Sequence, residues 1–265
     1  MSLWNTRREG AIAVSSYKNP PMNYFCAEAV AEFTALINTW QDPEIRVVVL
    51  TGGNGRFITH YSVEELYALA KDTETLQTRG PEIVESYHAM LLSLRALQKP
   101  VVAALTGDTM GGGFELAMSC DIRIAADGDY RIGLPEIRLG ITPGGTGTQA
   151  LPRLIGVAKA MEFVLRGRVV APNVARDIGL VHEVASDPLS RAMEIAVDLA
   201  AQSPTALAAV KACIYDGSDR QMSQGLAVER SMFQKTMLSA EALEFMEKYL
   251  AVPLERRRRW IDSSR

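Results

Sequence analysis

Three glycines and two glutamates are the residues of this sequence best placed to do chemistry. Gly111-Gly112-Gly113 lie between an apolar run, Val101-Val-Ala-Ala-Leu105, and Phe114-Glu115-Leu-Ala-Met118, which reads as a helix opening on the glycines. A helix N-terminus exposes unpaired backbone N–H groups and a partial positive charge, and glycine lets a ligand approach that backbone closely. Such a place suits an oxyanion, either a phosphate or a carbonyl oxygen that gains charge. A phosphate loop would put Lys and Ser/Thr after the glycines. Phe114 and Glu115 stand there instead, and a carboxylate would repel a phosphate. A thioester carbonyl beside a carboxylate fits better, and the plain alternative is close helix–strand packing.

Glu115 is flanked by Phe114, Leu116, Ala117 and Met118. Apolar surroundings would raise its pKa and the helix N-terminus would lower it, and the sequence leaves that contest open. Glu136 follows Pro135 in Gly133-Leu-Pro-Glu-Ile-Arg-Leu-Gly140. It reads either as a loop glutamate paired with Arg138 or as a second functional carboxylate. Two carboxylates converging on one apolar pocket can divide acid and base roles, because each disfavours ionisation of the other.

The elements that must position these residues follow from periodicity. Ala11–Val14, Arg46–Thr51 and Val101–Leu105 read as strands, the last two buried on both faces. Val30, Phe33, Leu36 and Ile37 recur at helical spacing within 26–40, and Val63–Ala70 and Ile83–Leu97 read as further helices. Gly52–Gly55 breaks the second strand. Asp127-Gly128-Asp129, between Ile122–Ala126 and Tyr130–Gly133, predicts a hairpin. Leu139–Gly147 is a Gly/Pro/Thr-rich loop, and 148–246 looks mostly helical. The class is therefore α/β with a helical C-terminal region.

Composition narrows the function classes. The 265 residues are 48% hydrophobic and 22% charged, as in globular proteins. A net charge of −3 argues against nucleic acid or an anionic membrane as partner. Cys26, Cys120 and Cys213 form no CxxC pair, which fits a reducing cytoplasm. His60, His88 and His182 are too scattered to suggest a metal site. The N-terminus lacks a secretory apolar run, and no stretch approaches the length of a membrane span. Arg256–Arg259 is a short basic run, read as a solvated tail or as a phosphate contact.

The order and spacing of these residues resemble a known family. Lys99 through Ala125, with Gly133-Leu-Pro-Glu-Ile-Arg-Leu-Gly-Ile-Thr-Pro-Gly-Gly145 and Gln149-Ala-Leu-Pro-Arg-Leu-Ile-Gly156, looks like the signature of the enoyl-CoA hydratase/isomerase (crotonase) family. Weaker similarity includes Asn23, Asp42–Gly52, Gly167-Arg168, Gly179-Leu-Val181 and Ser203-Pro204. The resemblance implies a crotonase-like spiral of ββα turns over residues 1–200 and a helical trimerisation region over 201–265, giving a homotrimer or dimer of trimers. It implies an acyl-CoA substrate, with coenzyme A part of that substrate and no separate cofactor. It implies an oxyanion hole from the N–H groups of Thr59 and Gly112, with Glu115 activating water and Glu136 delivering a proton to the α-carbon. Enoyl-CoA hydration is the expected reaction. The alternatives are an isomerase or β-diketone hydrolase on the same fold, or a non-catalytic acyl-CoA binder.

Two segments depart from the family pattern. Relatives read Phe, a small residue, Ala, Gly, Ala or Gly, then Asp-Leu, where this chain has Phe57-Ile-Thr-His-Tyr-Ser62. His60, Tyr61 and Ser62 thus join Gly111 and Pro135 as expected substrate-binding positions. His60 or Tyr61 either packs in the wall or takes part in the chemistry. The C-terminal Lys-Arg and aromatic pair is matched only in part by Lys248-Tyr249.

Overall fold

The computed structural model describes residues 2–53 and 55–263. Met1 and Asn54, the latter part of the expected Gly52–Gly55 break, lie outside them. Strands β1 (Trp4–Glu9) and β2 (Ile12–Tyr17) are antiparallel. Helix α1 (Ala27–Thr39) buries Ala29, Phe33 and Ile37, one stripe at spacing four, against the core. Its Phe33 ring meets Trp4 at 4.4 Å between centroids. Strand β3 (Val47–Gly52) is buried along nearly its whole length, as expected of a β-branched run covered on both faces.

Helix α2 (Val63–Lys71) is capped by Ser62. Helix α3 (Thr73–Ala96) starts at Thr73 rather than at Ile83. The Thr73–Arg79 stretch carries no apolar stripe to announce a helix, but Asp72 caps it by accepting from Thr75 N at 3.0 Å, and Pro81 is carried inside. Strand β4 (Val101–Leu105) has the expected bounds. Strand β5 (Thr109–Met110) leads into α4 (Gly112–Met118), followed by β6 (Ile122–Ala126) and β7 (Ile132–Gly133). A 3-10 turn at Glu136–Leu139 precedes α5 (Gly147–Ile155), α6 (Val157–Leu165), β8 (Val169–Val170), α7 (Pro172–Asp177) and β9 (Glu183–Ala185). The main sheet has the order β1-β2-β3-β4-β6-β9, parallel from β2 onward, and β5-β7-β8 form a second sheet.

The expected hairpin is absent. Its Asp127-Gly128-Asp129 turn exists, but β6 already pairs on both sides, with β4 and β9, and β7 lies between β5 and β8. With both edges of each strand hydrogen-bonded, the two cannot pair with one another; the chain instead passes from one sheet to the other.

Contacts divide the chain within α8 (Pro188–Ala200). One compact unit holds the residues up to Leu97 and Val101–Ala196, and the other holds Gln98–Pro100 and the chain from Val197. The second unit contains α9 (Pro204–Ser218), α10 (Met222–Met237), α11 (Ala240–Leu250) and α12 (Arg257–Ser263). In it Lys211 donates to the Lys99 carbonyl at 3.0 Å. All the site residues described below belong to the first unit.

Candidate active site

Strand β5 and the first turn of α4 bring the glycine triplet under the loop that follows β3. Gly111 takes φ 49° and donates to Gly133 O at 2.9 Å. A Cβ on Gly113 would fall 2.0 Å from Ile58 O, so only glycine lets the two backbones cross here. The N–H of Gly112, at the open start of α4, has no acceptor among the described residues.

Glu115, one turn into α4, is 2% exposed. Its Oε1 accepts from Gly145 N at 2.8 Å and from Gly147 N at 2.7 Å. The residue between those donors, Thr146, has φ 81°, a left-handed conformation that turns both amides toward one acceptor. His88 on α3 steadies this loop, its Nε2 2.8 Å from Gly144 O. The contest left open by the sequence is won by burial. Burial first, and then the charge of Glu136, lift the Glu115 pKa to about 7, against the lowering effect of the two amides.

Glu136 opens the 3-10 turn, with Pro135 as its N-cap residue and Pro135 O accepting from Arg138 N at 2.9 Å. Arg138 does not pair with Glu136, because its Nε donates to Gly167 O at 3.0 Å. Glu136 is 9% exposed, and its Oε2 is buried with no hydrogen-bond partner. Oε1 borders Gly111, 3.0 Å from where a Cβ would stand. Burial raises this carboxyl to about 7 as well. Two buried carboxyls, both raised to about 7, flank the glycine triplet; such a pair can divide acid and base roles.

The loop after β3 changes two assignments. The Thr59 N–H already donates to Asn23 O at 3.2 Å, its carbonyl accepts from Met110 N at 2.8 Å and its hydroxyl bonds Met22 O. Thr59 is therefore tied into the scaffold and has no amide left for a ligand. The neighbouring free donor is Tyr61 N–H, which has no acceptor among the described residues and lies 3.6 Å from a Cβ built on Gly112. Ser62, expected to meet substrate, is occupied as the cap of α2, accepting from Glu65 N and donating to Glu64, both at 3.2 Å. His60 stacks on Tyr24 at 4.3 Å, with Nδ1 2.7 Å from Tyr61 O. A carbonyl can only accept, so Nδ1 carries a proton and the ring is engaged in the wall.

Several positioning residues gave no signal of their role in the sequence. Asn23, at φ 55°, donates its side-chain amide to the carbonyls of Gly53 (3.2 Å), Arg56 (3.0 Å) and Phe57 (3.0 Å), holding the first loop against β3. Tyr87 on α3 donates to Gly112 O at 2.9 Å. Gly145 and Gly147 belong to a stretch conspicuous for its composition, but nothing local tells that their amides meet a carboxylate thirty residues away.

Elsewhere, no group of three His, Cys, Asp or Glu side chains suited to a metal occurs among the described residues, and no described helix is long and apolar enough to cross a membrane. In the basic run, Arg257 donates to Val252 O and Leu250 O and lies over the Tyr249 ring.

Residues 7–262 match the family model described as enoyl-CoA hydratase/isomerase. The chain belongs to this family. A probable enoyl-CoA hydratase of Bacillus subtilis is 33% identical over 245 residues, 90% of this chain and 92% of that protein. A short-chain-enoyl-CoA hydratase of Clostridium acetobutylicum is 33% identical over 248 residues, 92% of each. Among solved structures, an enoyl-CoA hydratase of Polaromonas sp. JS666 superposes with TM-score 0.86 at 31% identity, covering 93% of this chain and 96% of that one. One from Geobacillus kaustophilus gives 0.88 at 28%, covering 94% of each. The fold is thus the crotonase fold of the family, with its mixed α/β, largely parallel sheet.

Proposed function

We propose that this family member hydrates the 2,3-double bond of an enoyl-CoA thioester. The observation that carries the reading is the carboxyl pair: Glu115 fixed through one oxygen by two backbone amides, and Glu136 with a buried, unpartnered oxygen, both raised to about 7. The thioester oxygen would lie between the N–H groups of Gly112 and Tyr61, taking over the role expected of Thr59. Losing one such donor costs about 3–4 kcal/mol of transition-state stabilisation. Glu115 Oε2, free of hydrogen bonds among the described residues, would orient a water and take its proton as the oxygen adds to the β-carbon. Glu136 would give its proton to the α-carbon, and the enolate formed between these steps would be held by the two amides. Near neutral pH a coupled pair of this kind holds one proton between its members, which is the state the reaction needs.

Isomerisation is the second reading, because Glu136 alone can move a proton between carbons. Hydrolysis of a β-diketone finds less support, since His60, the residue that suggested it, is turned into the wall. The apolar side chains exposed on α10 and α11, among them Met222, Phe233 and Leu250, favour assembly into a homotrimer or dimer of trimers. The deciding experiment follows the ultraviolet absorbance of the conjugated thioester of crotonyl-CoA. Hydration predicts a fall that disappears in both Glu115→Gln and Glu136→Gln. A 3-enoyl-CoA that gains absorbance in Glu115→Gln would shift the assignment to isomerase, and unchanged turnover in both variants would remove the two glutamates from the mechanism.

A further inference from the structure

Resting on the acyl-CoA reading above, we propose that Asn23, with Glu65 at the far end of the same segment, is a positioning residue that aims the Tyr61 N–H at the thioester oxygen. The backbone of 59–62 is bonded on two sides. Toward 23–25, Thr59 N donates to Asn23 O at 3.2 Å, Phe25 N donates to His60 O at 2.8 Å and Ser62 N donates to Phe25 O at 2.7 Å, a parallel bridge of Phe25 with Tyr61. On the other side, Thr59 O accepts from Met110 N at 2.8 Å. The His60 carbonyl and the Tyr61 N–H belong to one trans peptide and point in opposite directions. The bond from Phe25 N to His60 O therefore turns the Tyr61 N–H toward the side of Met110 and Gly112. A continuing strand would offer it a carbonyl there. Strand β5 instead ends at Met110, and Gly111 at φ 49° turns the chain into α4. The Tyr61 nitrogen is left 3.6 Å from a Cβ built on Gly112, with no acceptor among the described residues.

The direction of that amide is thus set by the segment from Asn23 to Ala27, which is held at both ends. Asn23 is buried, and its side-chain amide donates to the carbonyls of Gly53, Arg56 and Phe57 while its Oδ1 accepts from Asn19 N at 2.9 Å. One carboxamide thereby joins the segment to the loop that leads to Tyr61. The next carbonyl, Tyr24 O, accepts from the Tyr17 hydroxyl at 2.6 Å and from Asn19 Nδ2 at 2.8 Å. At the far end, Cys26 gives α1 no side-chain cap, and Glu65 Oε2 accepts from Ala27 N at 2.9 Å in its place. The start of α2 is so bonded to the start of α1 across the Phe25–Tyr61 bridge. Burial first, and then the Glu65 carboxylate, raise the Tyr61 phenol above the usual tyrosine range, so Glu65 acts on the Tyr61 side chain too. Hydrogen bonds weaken steeply as they leave alignment, so a tilt of this one peptide would cost the thioester oxygen a donor.

The test uses butanoyl-CoA with an isotopically labelled thioester carbonyl, which binds without turnover, and the intact protein. A donor on the carbonyl oxygen lowers its stretching frequency, which infrared difference spectroscopy reads. The wild type should show the lowering. Asn23→Gly, which suits the left-handed backbone and removes the side chain, should show less of it. The same variant should lose at least about tenfold in kcat with crotonyl-CoA, part of the roughly 10²–10³ that a whole donor contributes, while KM changes less. Glu65→Ala should move both readouts the same way by a smaller amount, and Glu65→Gln, whose oxygen can still accept from Ala27 N, should restore them. An unchanged stretch and kcat in folded Asn23→Gly, or in Glu65→Ala where Asn23→Gly does not fold, overturns the proposal and leaves the acyl-CoA reading standing. A wild type that fails to bind the ligand, or binds it without the lowering, overturns the proposal together with the donor assignment it rests on.

Discussion

Replacing Glu115 with Gln should stabilise the protein at pH 8 and not at pH 5. The Gln oxygen can still accept from Gly145 N and Gly147 N, so the loop keeps its anchor. What changes is the proton. The Glu115 pKa stands at about 7 against an ordinary 4.5, so the folded state binds this proton more tightly than the unfolded chain does. Its stabilising contribution is complete below about pH 4.5 and is lost as pH rises through about 7. At 1.36 kcal/mol per unit, that loss amounts to about 3 kcal/mol for the wild type by pH 8 and nothing for the variant. In a chain of this length, about 3 kcal/mol corresponds to roughly 6 °C or more in Tm. Thermal unfolding followed by far-ultraviolet circular dichroism, at both pH values and fixed ionic strength, reads the difference directly. A Tm difference between variant and wild type that is the same at pH 5 and pH 8 would refute the account of a carboxyl held protonated by burial. The Glu136 charge is the second cause of the shift, so the pH dependence of the Glu115→Gln effect should shrink when Glu136→Gln is already present.

Asn23→Ala should lower stability by about 3 kcal/mol, because three carbonyls of the first loop lose their donor. Asn23→Gly, which suits the positive φ, should recover part of that loss in a urea titration, whereas recovery of none of it would discount the backbone contribution. Ser62→Ala should cost about 1 kcal/mol and Ser62→Asp should retain the cap; equal stability of all three would contradict the capping role.

The site is built by contacts across distant segments, which explains its pattern of buried and free hydrogen-bonding groups. In the first loop the Thr59 amide is committed to Asn23 O, and in the glycine loop the amides of Gly145 and Gly147 are committed to the Glu115 carboxylate. The N–H groups of Tyr61 and Gly112 lie close together without an acceptor among the described residues, and Glu136 Oε2 is buried without a partner. Buried polar groups without partners are costly, and they persist where a ligand supplies the partner.

How much of this was legible in the sequence depends on the range of the interaction concerned. The apolar run Val101–Leu105 became β4 with the same bounds, and the stripe containing Phe33 and Ile37 became the buried face of α1, because periodicity and burial are local properties of the chain. The two glutamates, the glycine triplet and the family were visible for the same reason, as residue types at short spacing. Other features were beyond that reach. Whether burial or the local amides would set the Glu115 pKa depended on Glu136 and on everything packed around both. The free donor proved to be Tyr61 rather than Thr59 because Asn23, far off in the chain, takes the Thr59 amide. Tyr87, unremarkable on a helix, reached the reacting centre only when α3 packed beside the glycine loop. The hairpin failed because other strands held both edges first. Sequence period determined the elements and the candidate chemistry; the pairing of segments thirty and more residues apart decided which amides and oxygens remained free to perform it.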